Sequence, residues 1–241
     1  MPLNASRIKP RLPPKAMYFD GTDDYVDIAE SSSLQSLNYG FTFEVLFRAE
    51  EIGTIQCFIT DWDYYARMVW FGLNNDGRLK ATLIKNDTAY PTIFDTYIES
   101  NKFYVAHLIY NGTKYYLYIN SVKESTETSL SAPIDNPEAD WSIARRRDNR
   151  DFFNGSIGFV RIYSRALSES EIQYNYLHPS DPVRDGLVLW LHWDSIDSDS
   201  GLWRDKTYHG NDGTIYGATE KVFTPAPYRK LTPVRKQSIL R

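Results

Sequence analysis

FYVAHLIYNGTKYYLYIN, residues 103–120, is the stretch that decides the fold class of this sequence. Apolar and aromatic residues recur at every second position on both sides of Asn111-Gly112. An Asn-Gly pair between two alternating runs is the strongest short-range signal for a tight β-hairpin. Because successive strand side chains point to opposite faces, Leu117 and Ile119 lie on the same face. The stretch therefore predicts two antiparallel strands that are half-buried against a core.

The same alternation recurs between residues 17 and 166. In residues 41–47, every second position is Phe or Val, which predicts a strand with one apolar face. Two further runs, residues 67–73 and 78–85, flank Asn74-Asn75-Asp76-Gly77, where Asp-Gly accepts the positive φ angles of a tight turn. The middle of the chain is therefore predicted to consist mainly of short antiparallel strands.

One short helix is predicted after these strands. Ser168 and Glu171 have the spacing of a capping box, in which each side chain bonds the other residue's backbone, and Pro179 ends the segment. Many short strands, tight turns and one brief helix predict an all-β fold, a two-sheet antiparallel jelly-roll sandwich.

Composition excludes several classes of protein. The chain has 241 residues, of which 42% are hydrophobic, and a net charge of −4. No window approaches the roughly 18 consecutive apolar residues of a membrane-spanning helix, and the first residues lack the apolar stretch of a signal peptide. Cys57 is the single cysteine, which excludes an intramolecular disulfide and a cysteine-rich zinc site. We expect a globular protein that does not insert into a membrane.

Both ends of the chain are basic and contain prolines. Residues 1–15 carry +4 and residues 221–241 carry +6, with no acidic residue in either segment, which leaves −14 for residues 16–220. Such an acidic middle argues against a nucleic-acid-binding body. Proline disfavours helix, so both ends are predicted to be extended arms on a single domain of residues 16–220. The arm residues expected to contact other protein subunits are Arg7, Lys9, Arg11, Arg229, Lys230, Arg235 and Lys236.

Four segments together resemble the laminin-G-like, concanavalin-A-like jelly-roll domains: residues 18–28, 41–45, 104–120 and 153–168. The last of these, a strand followed by Arg-Ala-Leu-Ser and a short helix, is the most specific. The resemblance covers roughly residues 16–177. It implies a two-sheet jelly roll whose relatives are mostly non-catalytic modules for glycans or protein ligands, often with a structural calcium ion.

Residues 186–218 resemble the segment that normally opens such a domain, yet here they stand near the end of the chain. Three explanations are open. The segment closes its own domain, as in a circular permutant; or it is donated to a neighbouring subunit; or it is a truncated second repeat.

A cluster of acidic residues is the candidate metal site. Asp20, Asp23 and Asp24, with Asp27 nearby, supply the oxygen ligands that Ca²⁺ requires, although a solvated polar turn has the same composition. Relatives often carry an aspartate ligand at the position that corresponds to Gly158 here. Ca²⁺ is the one cofactor we expect, and the loss of that aspartate would weaken its site.

The candidate glycan contacts are Asp61, Trp62, Asp63, Tyr64 and Tyr65, since a ring face stacks on a sugar while acidic groups bond its hydroxyls. Glycoside hydrolases on this fold carry a compact Glu-x-Asp-x-x-Glu strand, and the sequence has none, so no catalytic residue is predicted. The favoured interpretation is a non-catalytic binding module for carbohydrate within a larger surface assembly. The alternative is a purely structural or decoration subunit on the surface of a virion or another particle.

Overall fold

The computed structural model describes residues 12–62, 68–135 and 138–223. Within these ranges the chain forms sixteen strands and one helix, α1 (Glu169–Leu177). No helix in the described ranges is long and apolar enough to cross a bilayer. The strands are β1 (Lys15–Asp20), β2 (Tyr25–Ile28), β3 (Phe41–Ala49), β4 (Gln56–Thr60), β5 (Val69–Leu73), β6 (Arg78–Lys85), β7 (Thr88–Tyr97), β8 (Tyr104–Tyr110), β9 (Lys114–Ile119), β10 (Val122–Ser129), β11 (Trp141–Ile143), β12 (Asn154–Tyr163), β13 (Leu187–Asp197), β14 (Leu202–Asp205), β15 (Gly213–Tyr216) and β16 (Thr219–Val222).

The strands join into one antiparallel sheet that folds back on itself as a sandwich. Its order is β10-β9-β8-β3-β12-β13-β14-β15-β2-β11-β4-β5-β6-β7, and β1 joins β12 off this path. The two ends of this order meet, because the Glu124 carboxylate on β10 accepts hydrogen bonds from the backbone N–H groups of Asp95 and Thr96 on β7, both at 2.9 Å. The predicted all-β sandwich with one short helix is confirmed.

Both predicted hairpins form where the turn residues stand. In the first, β8 pairs with β9, Gly112 has a φ of +85°, and Asn111 Oδ1 accepts from the backbone N–H groups of Thr113 and Lys114. In the second, β5 pairs with β6 around Gly77, whose φ is +81°. These positive φ angles are strained for most residues, which is why glycine occupies both positions.

The core lies between the two layers and is largely aromatic. On β3, Phe43 and Phe47 face inward, as the alternation predicts. The Phe47 ring on β3 lies 4.3 Å from the Phe58 ring on β4 in the opposite layer, and Phe58 packs edge-on against Phe71 on the adjacent strand β5. Large rings of this kind bury more apolar area than any other side chain, so they supply much of the stabilisation in a chain without disulfides.

A buried ion pair lies on the other face of β3, beneath α1. Arg161 Nη1 donates to both carboxylate oxygens of Glu44 at 3.0 Å, and both side chains are fully buried. Asn175 of α1 donates to Glu44 Oε2 at 3.1 Å, and His107 Nε2 lies 3.3 Å from Oε1. Burial alone would raise the pKa of Glu44, but the Arg161 guanidinium and His107 outweigh it and lower the pKa to about 2.

The capping box of α1 forms as predicted. Ser168 Oγ accepts from the Glu171 N–H, and the Glu171 carboxylate accepts from the Ser168 N–H at 2.8 Å. The helix ends at Leu177, two residues before Pro179. Its buried Ile172 packs with Tyr163 and Trp190 on the outer face of the first layer.

Residues 186–218 pair with strands of the same chain in this structure. Strand β13 pairs with β12, and β15 pairs with β2, so this segment bridges the two layers. The following strand β16 pairs with β1, which places Lys15 opposite Val222, and Phe223 N donates to the Pro14 carbonyl at 2.8 Å. The two ends of the described chain therefore leave the domain side by side. The predicted arm residues Arg7, Lys9, Arg11, Arg229, Lys230, Arg235 and Lys236 lie outside the described residues.

Candidate functional site

A small cavity of about 110 Å³ opens on the outer face of β4, β5 and β6. It lies where the predicted aromatic cluster begins, at the end of β4. Its described lining is two tryptophans, two cations, one carboxylate, one hydroxyl and one aliphatic side chain: Trp62, Trp70, Lys80, Arg146, Asp151, Thr82 and Ile55. The cavity is well below the roughly 300 Å³ of a pocket for a drug-sized molecule, so it suits one unit of a larger ligand.

Strand alternation places the cavity residues. On β5, Val69 and Phe71 face the core, which turns Trp70 outward between them. On β6, Leu79 and Ala81 face the core, which turns Lys80 outward. Trp70 is only 4% exposed because its neighbours cover it. These side chains are thus held by regular strands, which fix binding groups more rigidly than loops do.

Asp61 anchors the loop that follows β4. Its Oδ1 accepts from the backbone N–H groups of Met68 and Val69, both at 2.9 Å, and the residue is 2% exposed. Asp61 is not among the cavity residues. One of its two carboxylate oxygens thus accepts from two backbone donors. A contact of Asp61 with the glycan stays a prediction.

Trp62 is the predicted glycan contact that lines the cavity. Its backbone N–H donates to Thr60 Oγ1 at 2.8 Å, and its carbonyl accepts from Arg147 N at 3.1 Å, so the backbone is held from both sides. The side chain is partly exposed. The other predicted contacts, Asp63, Tyr64 and Tyr65, lie outside the described residues.

The charges in the cavity come from distant parts of the chain. Asp151 pairs with Arg146 Nη1 at 3.4 Å, and Arg146 also bonds Asp148 at 2.7 Å. Burial raises the pKa of Asp151, although Arg146 acts in the opposite direction. The indole N–H of Trp70 lies near enough to Asp151 to lower that pKa as well, but it completes no hydrogen bond of normal geometry. Lys80 Nζ lies 5.7 Å from the centre of the Trp70 ring.

The described lining of the cavity combines aromatic rings with a few polar and charged groups. A partly exposed ring, an indole N–H, an ammonium, a hydroxyl and a carboxylate converge on one cavity, which is the combination of apolar and polar groups that holds a hydroxylated ring. Glycoside hydrolysis needs two carboxylates that flank the bond. Asp151 is the one carboxylate among the described residues of the lining.

The acidic cluster forms a second feature, at the end of β1. Carboxylate oxygens of Asp20, Asp23 and Asp24 lie within 4.8 Å of one another. Asp24 is buried, and this burial together with the carboxylates of Asp20 and Asp23 raises its pKa. The hydrogen bond from the Asp20 N–H acts in the opposite direction but does not outweigh them. Asp24 Oδ2 accepts that bond, and Asp20 Oδ1 accepts from Thr22 N at 2.8 Å. Each of these two carboxylates therefore offers its second oxygen to a cation.

The contacts of the neighbouring residues show which of them belong to the acidic cluster. Asp27 is not part of it, because its carboxylate bonds Arg145 Nη2 at 2.8 Å. Gly217 lies directly against it: an added Cβ would lie 2.1 Å from Asp24 Oδ1. An added Cβ at Gly158 would instead meet Leu46 and Pro13. None of the acidic residues of the cluster is among these neighbours of Gly158, and the weakening of the metal site by the missing aspartate stays a prediction.

Comparison with known proteins agrees with this architecture. The family model of the laminin-G type described as the concanavalin A-like lectin/glucanases superfamily matches residues 20–173. The chain belongs to this superfamily. A search of the curated proteins gave no match.

Solved structures of low identity share the fold of this superfamily member. A protein of Bacteroides ovatus, described as a candidate carbohydrate-binding protein, has a TM-score of 0.71 at 21% identity over 89% of this chain. The match takes in 61% of the Bacteroides ovatus protein, so the chain spans about three fifths of its length. A heptameric SAP-like pentraxin of Limulus polyphemus has a TM-score of 0.59 at 12% identity, over 87% of this chain and 95% of the pentraxin. The sialidase module CBM40 of Ruminococcus gnavus has a TM-score of 0.52 at 13% identity, over 67% of this chain and 97% of the module.

The predicted glycan contacts of this lectin/glucanase superfamily member do not include the three charged residues of the cavity: Lys80, Arg146 and Asp151. A lone lysine in an alternating strand resembles any solvated residue. The run Arg145–Arg150 reads as a polar loop, and its position beside β5 depends on pairings between distant strands. Trp70 had one usable signal, since it alternates with Val69 and Phe71 and must therefore face away from them.

Proposed function

We propose that this protein is a non-catalytic glycan-binding module whose ligand occupies the cavity on β4, β5 and β6. The observation that carries the proposal is the meeting of Trp62 and Trp70 with a small set of polar groups in one cavity on the outer face of the sheet. Structural neighbours described as carbohydrate-binding support the same class of ligand.

Each side chain has a distinct role in binding. The partly exposed Trp62 ring stacks on the apolar face of a sugar, and Trp70 forms the floor. The Thr82 hydroxyl and the Asp151 carboxylate bond sugar hydroxyls, and the indole N–H of Trp70 is a further donor at the same place. Asp61 contributes indirectly, because it holds the loop that starts at Trp62.

A glycan array with the full-length protein identifies the sugar, and Trp62→Ala tests the site. We expect at least a tenfold loss of affinity, since a buried tryptophan anchor is worth roughly 2 kcal/mol. Tyr208→Ala is the matched control, because Tyr208 is 91% exposed and lies outside the cavity. Thermal melts of both variants show that the domain is folded. Equal affinity in both variants would refute the role of this cavity.

A structural Ca²⁺ ion at Asp20, Asp23 and Asp24 is the cofactor that this geometry supports. Oxygen-rich carboxylate sets are what Ca²⁺ binds, and the ion would offset the crowding of three like charges. Saturating Ca²⁺ at about one hundred times its Kd would raise the melting temperature by roughly 5 to 10 °C. The Asp24→Asn variant should lose this rise. Identical melts of the wild type in Ca²⁺ and in chelator would contradict the site.

A structural role in a larger assembly, such as a virion surface, is the second candidate function. One observation favours it: the two acid-free basic ends leave the domain at the same place, beside Lys15 and Val222. Two basic segments that leave the domain at the same place can bind one acidic partner surface together. Deletion of residues 1–11 and 224–241 leaves β1 and β16 intact. This deletion should abolish incorporation into the particle while glycan binding persists, and unchanged incorporation would exclude the role.

A further inference from the structure

We propose that the glycan is an acidic sugar, carrying a carboxylate or a sulfate, and that Lys80 recognises this charge. The proposal rests on the glycan-binding function proposed above and names the ligand class of the same cavity. It also assigns Lys80 as the residue that determines specificity.

Lys80 differs from the other lysines of the structure. Eight lysines lie in the described ranges. Six form ion pairs, namely Lys15, Lys102, Lys114, Lys123, Lys206 and Lys221, and Lys85 donates to both the carbonyl and the hydroxyl of Ser131. Among residues 12–62, 68–135 and 138–223, Lys80 makes neither an ion pair nor a hydrogen bond to a side chain. Its ammonium lies instead beside the Trp70 ring at the cavity.

The position of Lys80 favours an anionic ligand. The residue is partly buried on a regular strand, so a ligand that covers the cavity would take water away from its ammonium. A partly desolvated charge is stabilised by a counter-ion far more than an exposed charge is. The nearby Trp70 ring gives only part of that compensation, since a cation–π contact at about 6 Å is weak. An anionic ligand would supply the rest.

Lys80 is the cation of the described lining that forms no ion pair, although it lies close enough to Asp151 to act with Arg146 in lowering the pKa of that carboxyl. Asp151 is the one described carboxylate in the lining, and Arg146 pairs with it. The described lining therefore holds two cations, Lys80 and Arg146, and one carboxylate, Asp151, which is a net charge of +1. The sign is opposite to that of the domain, since residues 16–220 carry −14. A domain of this charge repels polyanions in general, and a local positive site therefore selects a specific acidic ligand rather than any polyanion.

The test compares trisaccharides that differ only in charge, bound to the full-length protein by calorimetry. Trigalacturonate carries carboxylates, and its methyl ester is the neutral match. A sulfated maltotriose and maltotriose are the second pair, which distinguishes a sulfate from a carboxylate. Short ligands are used because the basic ends of the chain would bind long polyanions. We expect one acidic member to bind at least tenfold tighter than its neutral match, as for a charge-assisted hydrogen bond.

Three variants assign the effect to Lys80. Lys80→Gln should lose at least tenfold in affinity for the acidic sugar and much less for its neutral match, so that the ratio of the two affinities falls. Lys80→Arg should keep most of the preference. Lys102→Gln is the matched control, since it removes one charge at an exposed lysine elsewhere. Equal loss in Lys80→Gln and Lys102→Gln would overturn the proposal. The proposal would also be overturned if the neutral sugars bound more tightly than the acidic ones and this binding still depended on Trp62. That outcome would leave the glycan-binding function standing. If no glycan on an array binds to the protein, both the acidic-sugar proposal and the glycan-binding function are refuted.

Discussion

Replacing Glu44 by Gln is expected to cost the protein a large part of its stability. The substitution preserves shape but leaves the Arg161 guanidinium, which is fully buried, without its counter-charge. Breaking a buried ion pair in this way costs about 3 to 5 kcal/mol. The lowering of the Glu44 pKa from 4.5 to about 2 is worth roughly 3 kcal/mol, which agrees with that range.

Urea denaturation followed by tryptophan fluorescence measures the effect. With an m-value of about 3 kcal/mol/M, the midpoint should fall by about 1 to 1.7 M. Glu220→Gln is the control: it breaks the Lys15 ion pair, in which both side chains are about 30% exposed, and should cost less than about 1 kcal/mol. Similar midpoints for the two variants would refute the reasoning that burial makes the Glu44 pair critical.

The pH dependence of the same variants gives an independent check. The folded pKa of Glu44 lies below the unfolded value, so its contribution is complete above pH 4.5 and is lost as the pH falls toward 2. The gap between the wild type and Glu44→Gln should therefore be large at pH 7 and narrow markedly by pH 2.5. A gap that stays constant over this range would mean that the carboxylate is not the source of the stabilisation.

Three further predictions concern single positions. Ser168→Ala removes the N-cap of α1 and should cost about 1 kcal/mol, seen as a fall of roughly 2 to 4 °C in melting temperature; no fall would mean that α1 adds nothing to the cooperative fold. Gly72→Ala brings a Cβ to 2.0 Å from the Gln56 carbonyl oxygen and should cost about 3 kcal/mol in a urea melt, whereas a neutral result would contradict this close approach. Asp61→Ala leaves the N–H groups of Met68 and Val69 without their acceptor and should cost about 2 kcal/mol and weaken glycan binding; wild-type stability would show that the loop needs no anchor.

Local signals in the sequence were enough to predict the fold. The Asn111-Gly112 turn fixes its own hairpin, and the Ser168–Glu171 box fixes the start of α1, because in each case the interacting atoms are within a few residues. The alternation of residues 41–47 likewise predicts which side chains enter the core. These features depend on the chain geometry of one segment, and no distant contact is needed to recognise them.

The candidate site could be predicted only in part because its residues come together through long-range pairing. Trp62 was identified from its acidic and aromatic neighbours. Arg146 and Asp151 reach the same cavity from more than 80 residues further along the chain, which no local pattern reveals. The sequence favours Asp61 as a ligand contact because a carboxylate beside a tryptophan suits sugar binding. It gives no sign that Asp61 Oδ1 accepts from the backbone N–H groups of Met68 and Val69, which the fold brings to it.

The side-by-side exit of the two chain ends has a mechanical consequence. When the chain is pulled from both ends, tension enters at Lys15 and Val222, which are opposite each other at one end of the β1–β16 pair. The hydrogen bonds of this pair then open one after another, as in unzipping, and resist far less force than bonds loaded together in shear. We expect strand β16 to separate first, because in the described structure it pairs with β1 alone, whereas β1 also pairs with β12. The cavity with Trp62 lies elsewhere, on β4, β5 and β6, and we expect it to keep its structure at that stage.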